Sequence, residues 1–220
     1  MFLSRIRPAT ESSQLRRLAW IAGGGQYRVH QALWNLFETD PDGERDFLYR
    51  QEGRSDSLSF LVLSQRRPGT DNGLWTVQTK EYAPRLQVDQ RLAFSVRINP
   101  VVKRRDEEGK QHRHDLVMDI RKRADDTETT QAERVQTASQ QWLSTRQSQY
   151  GFELIEASVI GEAYRQWRFS GKVGRKISFS SIDCSGQLVV TDIDRFQKAL
   201  MKGIGPAKAF GCGLLLIRPL

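Results

Sequence analysis

Period-two and helical hydrophobic patterns alternate along this chain, and the alternation runs through twice. Residues 2–7 alternate apolar and polar side chains, which suits a short opening strand. After Gly23-Gly24-Gly25, the segment 26–38 carries Val29, Leu33, Leu36 and Phe37 at i, i+4, i+7 and i+8, the core stripe of a helix. Residues 47–51 and 58–64 read as strands joined by a polar loop, 74–82 reads as a third, and a soft boundary falls near Pro84. The second half has longer elements: a strand over 91–103, a charged insertion over 103–126 expected to be mobile, and a helix over 131–150 anchored by Trp142 and Leu143. Two hairpin strands over 152–169 and 176–191 follow, then a helix over 193–201 with Asp192 as its N-cap. A glycine-rich turn over 203–213 leads to a closing strand over 214–217. Strand-helix-strand-strand-helix-strand is the ferredoxin-like order. The second half fits it; the first half fits only with its second helix very short or lost, because nothing between Ser64 and Leu74 is long enough. The expectation is an α+β chain of two tandem ferredoxin-like (RRM-like) domains, 1–88 and 89–220.

Such a fold hosts many functions, so composition and motifs must narrow them. With 38% hydrophobic and 27% charged residues, the 220-residue chain can bury real cores. No apolar run approaches the ~18 residues of a membrane span, and the opening residues are too charged for a signal peptide. Cys184 and Cys212 form no CxxC, which leaves no disulfide framework or zinc ribbon to read. A soluble, cytoplasmic protein without membrane association or cofactor is expected. Charge points to a partner: 34 Lys plus Arg stand against 26 Asp plus Glu, a net +8. Between Arg165 and Lys176 lie five basic residues and no acidic one. A polyanion suits such a field, and so does a plain solubility surface.

Three motifs bear on chemistry. Tyr27, His30 and Trp34, at i, i+3 and i+7, fall within about 60° of one another beside the Val29/Leu33 stripe. Periodicity alone also fits a docking helix with a structurally satisfied histidine. His112 and His114 sit among Lys and Arg without a third ligand at metal spacing, and read as a solvated loop. GIGPAKAFGCG, residues 203–213, places Gly203, Gly205, Gly211 and Gly213 around Lys208. Its backbone N–H groups could face phosphates, or the segment could be a helix cap followed by a tight turn.

Together, Tyr27-Arg28-Val29-His30-Gln31-Ala32-Leu33-Trp34, Asn99-Pro100 and the closing glycine motif resemble the CasE-type endoribonuclease family of type I-E CRISPR systems. The resemblance runs from Phe2-Leu3-Ser4 to Pro219-Leu220. It implies tandem ferredoxin-like domains and metal-independent cleavage of precursor CRISPR RNA at the base of a repeat stem-loop. It implies His30 and Tyr27 as catalytic residues, and an RNA-contacting turn at Lys172, Arg175 and Lys176. Arg165, Arg168, Lys208 and the four glycines join them as expected RNA contacts. The implied nucleophile is the ribose 2′-hydroxyl, with His30 suited to proton transfer because a free imidazole titrates near neutrality. Which of His30 and Tyr27 is the base stays open. The implied partners are the repeat RNA and the other subunits of the type I-E surveillance complex. The alternative is an RNA-binding scaffold subunit with no chemistry. Two stretches depart from the family pattern: 8–26, which brings Arg16, Arg17 and Trp20, and the insertion at 103–126.

Overall fold

The computed structural model describes residues 1–9, 14–23, 25–37, 46–53, 58–69, 73–105, 108–123, 129–170 and 176–220. In the first half, β1 (Phe2–Pro8) lies between β3 (Ser59–Ser64) and β4 (Trp75–Glu81), and β2 (Phe47–Glu52) completes an antiparallel sheet of order β2-β3-β1-β4. That is the ferredoxin-like strand order. The first crossover holds two helices, α1 (Leu15–Gly23) and α2 (Gly25–Trp34). The second holds none among the described residues; the return from β3 to β4 is instead held at Gly69, whose N–H donates to the Leu36 carbonyl at 2.6 Å. Period-two alternation divides the sheet's two faces. Ile6, Phe47, Tyr49, Phe60 and Val62 pack with Leu18, Ile21, Val29 and Leu33 of the helices. Leu48 and Leu63, one residue out of phase, face the other way and close on Leu214, with Leu3 beside them.

The second half repeats the order. A sheet β11-β5-β10-β8 is built from β5 (Arg91–Ile98), β8 (Phe152–Leu154), β10 (Lys176–Val190) and β11 (Leu216–Pro219), and β9 (Ile160–Ser170) also pairs with β10. Helices α4 (Gln131–Ser144) and α6 (Ile193–Lys202) supply the crossovers. Thr130 and Glu133 form a reciprocal capping box at the start of α4, and Asp192 caps α6 by accepting from the Arg195 N–H. The stripe Val135, Ala138, Ser139, Trp142 and Leu143 buries α4. Its close seat on β9 depends on Gly161, where a Cβ would stand 2.0 Å from Ser139 Oγ.

Four expectations are corrected, and one helix appears where none was read. The stretch before the glycines contains α1, whose buried residues are only Leu18 and Ile21, too sparse a stripe to read through Arg16 and Arg17. The strand over 91–103 ends at Ile98: Pro100 cannot donate to a ladder, and Asn99 Nδ2 is drawn off to the Ser180 carbonyl at 2.6 Å. The helix over 131–150 breaks after Ser144 and resumes as α5 (Gln147–Tyr150), while a 3-10 turn at Glu156–Ser158 interrupts the strand over 152–169. The insertion is ordered across its described residues as a hairpin, β6 (Val101–Arg105) with β7 (Gln111–Asp115), followed by α3 (Leu116–Arg123). Leu116 and Val117 anchor it in the core, and Arg104 pairs with Asp119.

Candidate active site

Helix α2 buries Val29 and Leu33 and leaves Tyr27, His30 and Trp34 half-buried along one side. Aromatic neighbours fix the His30 ring. Phe47 and Tyr49 of β2 stack near it at 6.1 and 6.4 Å, and Trp34 presents an edge at 5.7 Å. Tyr27 Oη accepts from Gln31 Nε2 at 3.4 Å, one turn along the helix. Tyr27 and His30 both line a 560 Å³ cleft that α1 walls on its other side through Arg17 and Trp20.

The glycine-rich loop comes to this site from the second half. Tyr49, fully buried, donates its hydroxyl to the Ala209 carbonyl at 3.0 Å, and Gly211 lies against the Tyr49 ring. A 3-10 turn at Lys208–Phe210 thereby rests on α2 and β2. The glycines serve packing here. A Cβ at Gly205 would sit 2.6 Å from Trp142, and one at Gly203 would sit 2.9 Å from Leu48, each at a positive φ. Their N–H groups donate inward: Gly203 to Ala199, Gly205 to Tyr150 Oη, Gly211 to Lys208 and Gly213 to Arg97. Lys208 Nζ likewise donates to the Lys202 carbonyl at the end of α6, at 2.8 Å. The expectation that these four N–H groups face a phosphate therefore gives way to a seam that joins the two sheets.

An ion cluster locks the same seam. Arg97 donates twice to Asp183, at 2.7 and 2.8 Å, and Arg50 lies 3.9 Å from the same carboxylate while donating to Ser95 Oγ at 2.5 Å. Burial pulls the Arg97 guanidinium down, but the hydrogen bonds and charge of Asp183 outweigh it and hold the group above its usual range. Arg50 falls below its usual range because burial outweighs the same carboxylate.

Of the basic side chains expected to meet RNA, Lys172 and Arg175 lie outside the described residues. Strand alternation separates the rest. Arg165, across from Ser181, shares the face of Trp167, Phe169 and Phe179, and those aromatics cluster on Phe210 of the glycine-rich loop. Arg168 and Lys176 are exposed and line a 660 Å³ groove together with Arg113 of the β6–β7 hairpin. The structure therefore joins Tyr27 with His30 in one cleft and Arg168 with Lys176 in another. Arg113, Tyr49 and the Phe210 cluster escaped sequence reasoning. Their partners are remote in the chain, and only the basic run through 103–113 hinted at any of them. Among the described residues no three His, Cys, Asp or Glu side chains converge as a metal-ligand set.

Comparison with known proteins adds independent observations. The family described as CRISPR associated protein matches residues 1–219. The chain is similar to the CRISPR system Cascade subunit CasE of Escherichia coli K12, at 29% identity over 88% of this chain and 92% of that one. It is similar to the CRISPR-associated endoribonuclease Cse3 of Thermus thermophilus, at 28% identity over 88% and 90%. A solved structure of Thermus thermophilus Cse3, bound to an RNA representing a pre-cleavage complex, superposes with a TM-score of 0.72 at 26% identity, covering 99% of this chain and 98% of that one.

Proposed function

The chain belongs to the CRISPR-associated protein family, and from that premise we propose that it is an endoribonuclease that binds the stem-loop of CRISPR repeat RNA and cleaves precursor CRISPR RNA into guides. The observation that carries this reading is the pairing of Tyr27 and His30 in one cleft between α1 and α2. One relative supports it twice over: Thermus thermophilus Cse3 is named as an endoribonuclease and has been solved with an RNA representing a pre-cleavage complex. In-line attack by a ribose 2′-hydroxyl needs one proton removed, one delivered to the departing 5′-oxygen, and a countercharge for the phosphorane. A positioned imidazole moves protons at neutral pH. His30, braced by Phe47 and Tyr49, is such an imidazole, and Tyr27 orients the attacking hydroxyl from one helical turn away. The nucleophile belongs to the substrate, held as an intramolecular group, and no divalent ion takes part in the step. Arg168, Lys176, Lys172 and Arg175 hold the phosphates of the stem, with Arg165 nearby on the aromatic face; residues 1–88 and 89–220 form the two domains. A relative named as a Cascade subunit supports retention of the product within the type I-E surveillance complex. The protein works in the cytoplasm in this reading, alongside the other subunits of that complex. No helix among the described residues is long and apolar enough to cross a membrane.

Cleavage of repeat stem-loop RNA in EDTA, compared between the wild-type chain and His30→Ala, tests the reading. The variant is expected to lose about 10²–10⁴-fold in single-turnover rate while binding is retained. Products should carry a 5′-hydroxyl and a 2′,3′-cyclic phosphate, and one 2′-deoxy nucleotide upstream of the cut should stop the reaction. Tight binding without cleavage by the wild-type chain would instead make it an RNA-binding scaffold subunit. Dependence on a divalent ion would overturn the mechanism.

A further inference from the structure

The cleft that holds Tyr27 and His30 has a second wall to which the cleavage reaction gives no task. Helix α1 presents Trp20 there with 54% of its surface open to solvent, on a short helix whose only charged residues are the exposed Arg16 and Arg17. The indole is braced. The Arg28 guanidinium carbon lies 4.2 Å from the centre of its ring, and Arg28 Nη1 donates to the Trp20 backbone carbonyl at 2.8 Å. Arg28 is the neighbour of Tyr27 on α2, so the contact that seats Trp20 also ties α1 to the helix carrying both candidate catalytic residues. Arg17 adds a second cation to the rim, Gln31 and Asn35 add two side-chain amides, and no carboxylate among the described residues lines the cleft.

We infer that Trp20 is a stacking platform for one unpaired nucleotide beside the scissile phosphate, and so helps position that phosphate on His30. An exposed aromatic with cations at its edge is how proteins hold single-stranded nucleic acid, because every base has a π-face and every nucleotide a phosphate. Amides in the same cleft suit the edges of a splayed base. A pocket of 560 Å³ falls in the range of small-ligand sites and admits a nucleotide. An apolar protein partner fits less well, since its docking would bury two guanidinium groups with no acidic side chain among the described cleft residues to meet them. The indole is already fixed by Arg28 before RNA arrives, so little ordering cost remains. Trp20 acts through the substrate's position and is a positioning residue. The identity of the substrate rests on the cleavage reading above.

Repeat stem-loop RNA made uncleavable by one 2′-deoxy nucleotide, with 2-aminopurine placed in turn at each unpaired position flanking the cut, tests the inference. The wild-type chain is expected to quench the fluorescence at one flanking position. Trp20→Ala should abolish that quench and weaken RNA binding by roughly thirtyfold, the middle of the range for loss of one stacked base. Trp20→Phe should restore most of both, which a merely structural role at an exposed position would not require. An abasic nucleotide at the quenched position should cost the wild-type chain as much as the variant has already lost, and cost Trp20→Ala nothing more. Unchanged affinity and unchanged quenching in Trp20→Ala would overturn the inference. A wild-type chain that quenches at this position, yet leaves the all-ribose RNA uncut, would remove the cleavage reading and leave the stacking site standing.

Discussion

Cys184 and Cys212 are fully buried, and burial pushes both thiols up to about 12 from an ordinary value near 9. For Cys184 a hydrogen bond with Ser139 opposes the shift without cancelling it. An acid whose pKa is raised on folding stays neutral in the native state while the unfolded chain ionises. Its contribution to stability is therefore complete below pH 9 and is lost as pH rises from about 9 toward 12. The urea midpoint should fall between pH 9 and 11, and the Cys184→Ala/Cys212→Ala protein should fall less steeply over the same interval. Parallel slopes in the two proteins would show that other groups set the alkaline limit. The sequence offered two isolated cysteines without a partner motif; their inertness comes from burial that only the folded sheets create. Gly205 teaches the same lesson, since its need to lack a Cβ is set by Trp142, a residue distant in sequence.

At the level of elements, the β6–β7 hairpin is built against its own charge. Lys103 stands opposite Arg113 in the antiparallel register, and both are exposed. Like charges facing one another across two strands destabilise the pair. Lys103→Glu should relieve the repulsion and gain roughly 0.2–1 kcal/mol, the usual worth of such a cross-strand pair. Slower amide exchange across residues 101–115 at low salt, with the difference shrinking at high salt, is the expected result. Equal exchange in the two proteins would mean that solvent already screens the pair. Charge density suggested a mobile insertion because the hairpin has little apolar alternation of its own. Order is supplied from below by Leu116 and Val117 and by the Arg104–Asp119 pair, which no local pattern announces.

Across the whole molecule, the two sheets meet on a small apolar patch and one carboxylate. Leu48, Leu63 and Leu214 supply the patch, and Asp183 serves Arg97 and Arg50, whose side chains are 10% and 18% exposed. Removing the shared partner of buried cations costs more than the pair contributes, because the charges left behind stay desolvated. Asp183→Ala is expected to cost about 3–5 kcal/mol by urea denaturation. Arg50→Met, which removes one cation and leaves the closer Arg97–Asp183 pair intact, should cost much less. Similar losses in both variants would place the energy in packing around the seam instead of in the carboxylate. The same cluster sits between the glycine-rich loop and the sheet that carries Tyr49, one of the rings bracing His30. A destabilised seam should therefore slow cleavage along with unfolding the chain more readily.

Hydrophobic period determined the order of the main strands and helices of both halves, though not α1 or the β6–β7–α3 segment, because spacing between near neighbours encodes which face of an element is apolar only where the stripe is dense enough. It put Val29 and Leu33 in a core with Tyr27, His30 and Trp34 beside them, and the basic surplus between Arg165 and Lys176 was equally plain. Tertiary structure decided what stands around the histidine. Tyr49 reaches Ala209 across 160 positions of sequence, and that contact exists only once both sheets have closed. It decided that the glycines' N–H groups turn inward, that a sparse helix brings Trp20 to the cleft, and that Arg113 joins Arg168 and Lys176 in one groove. Each of these depends on a partner supplied by another element, and local spacing carries no information about distant partners.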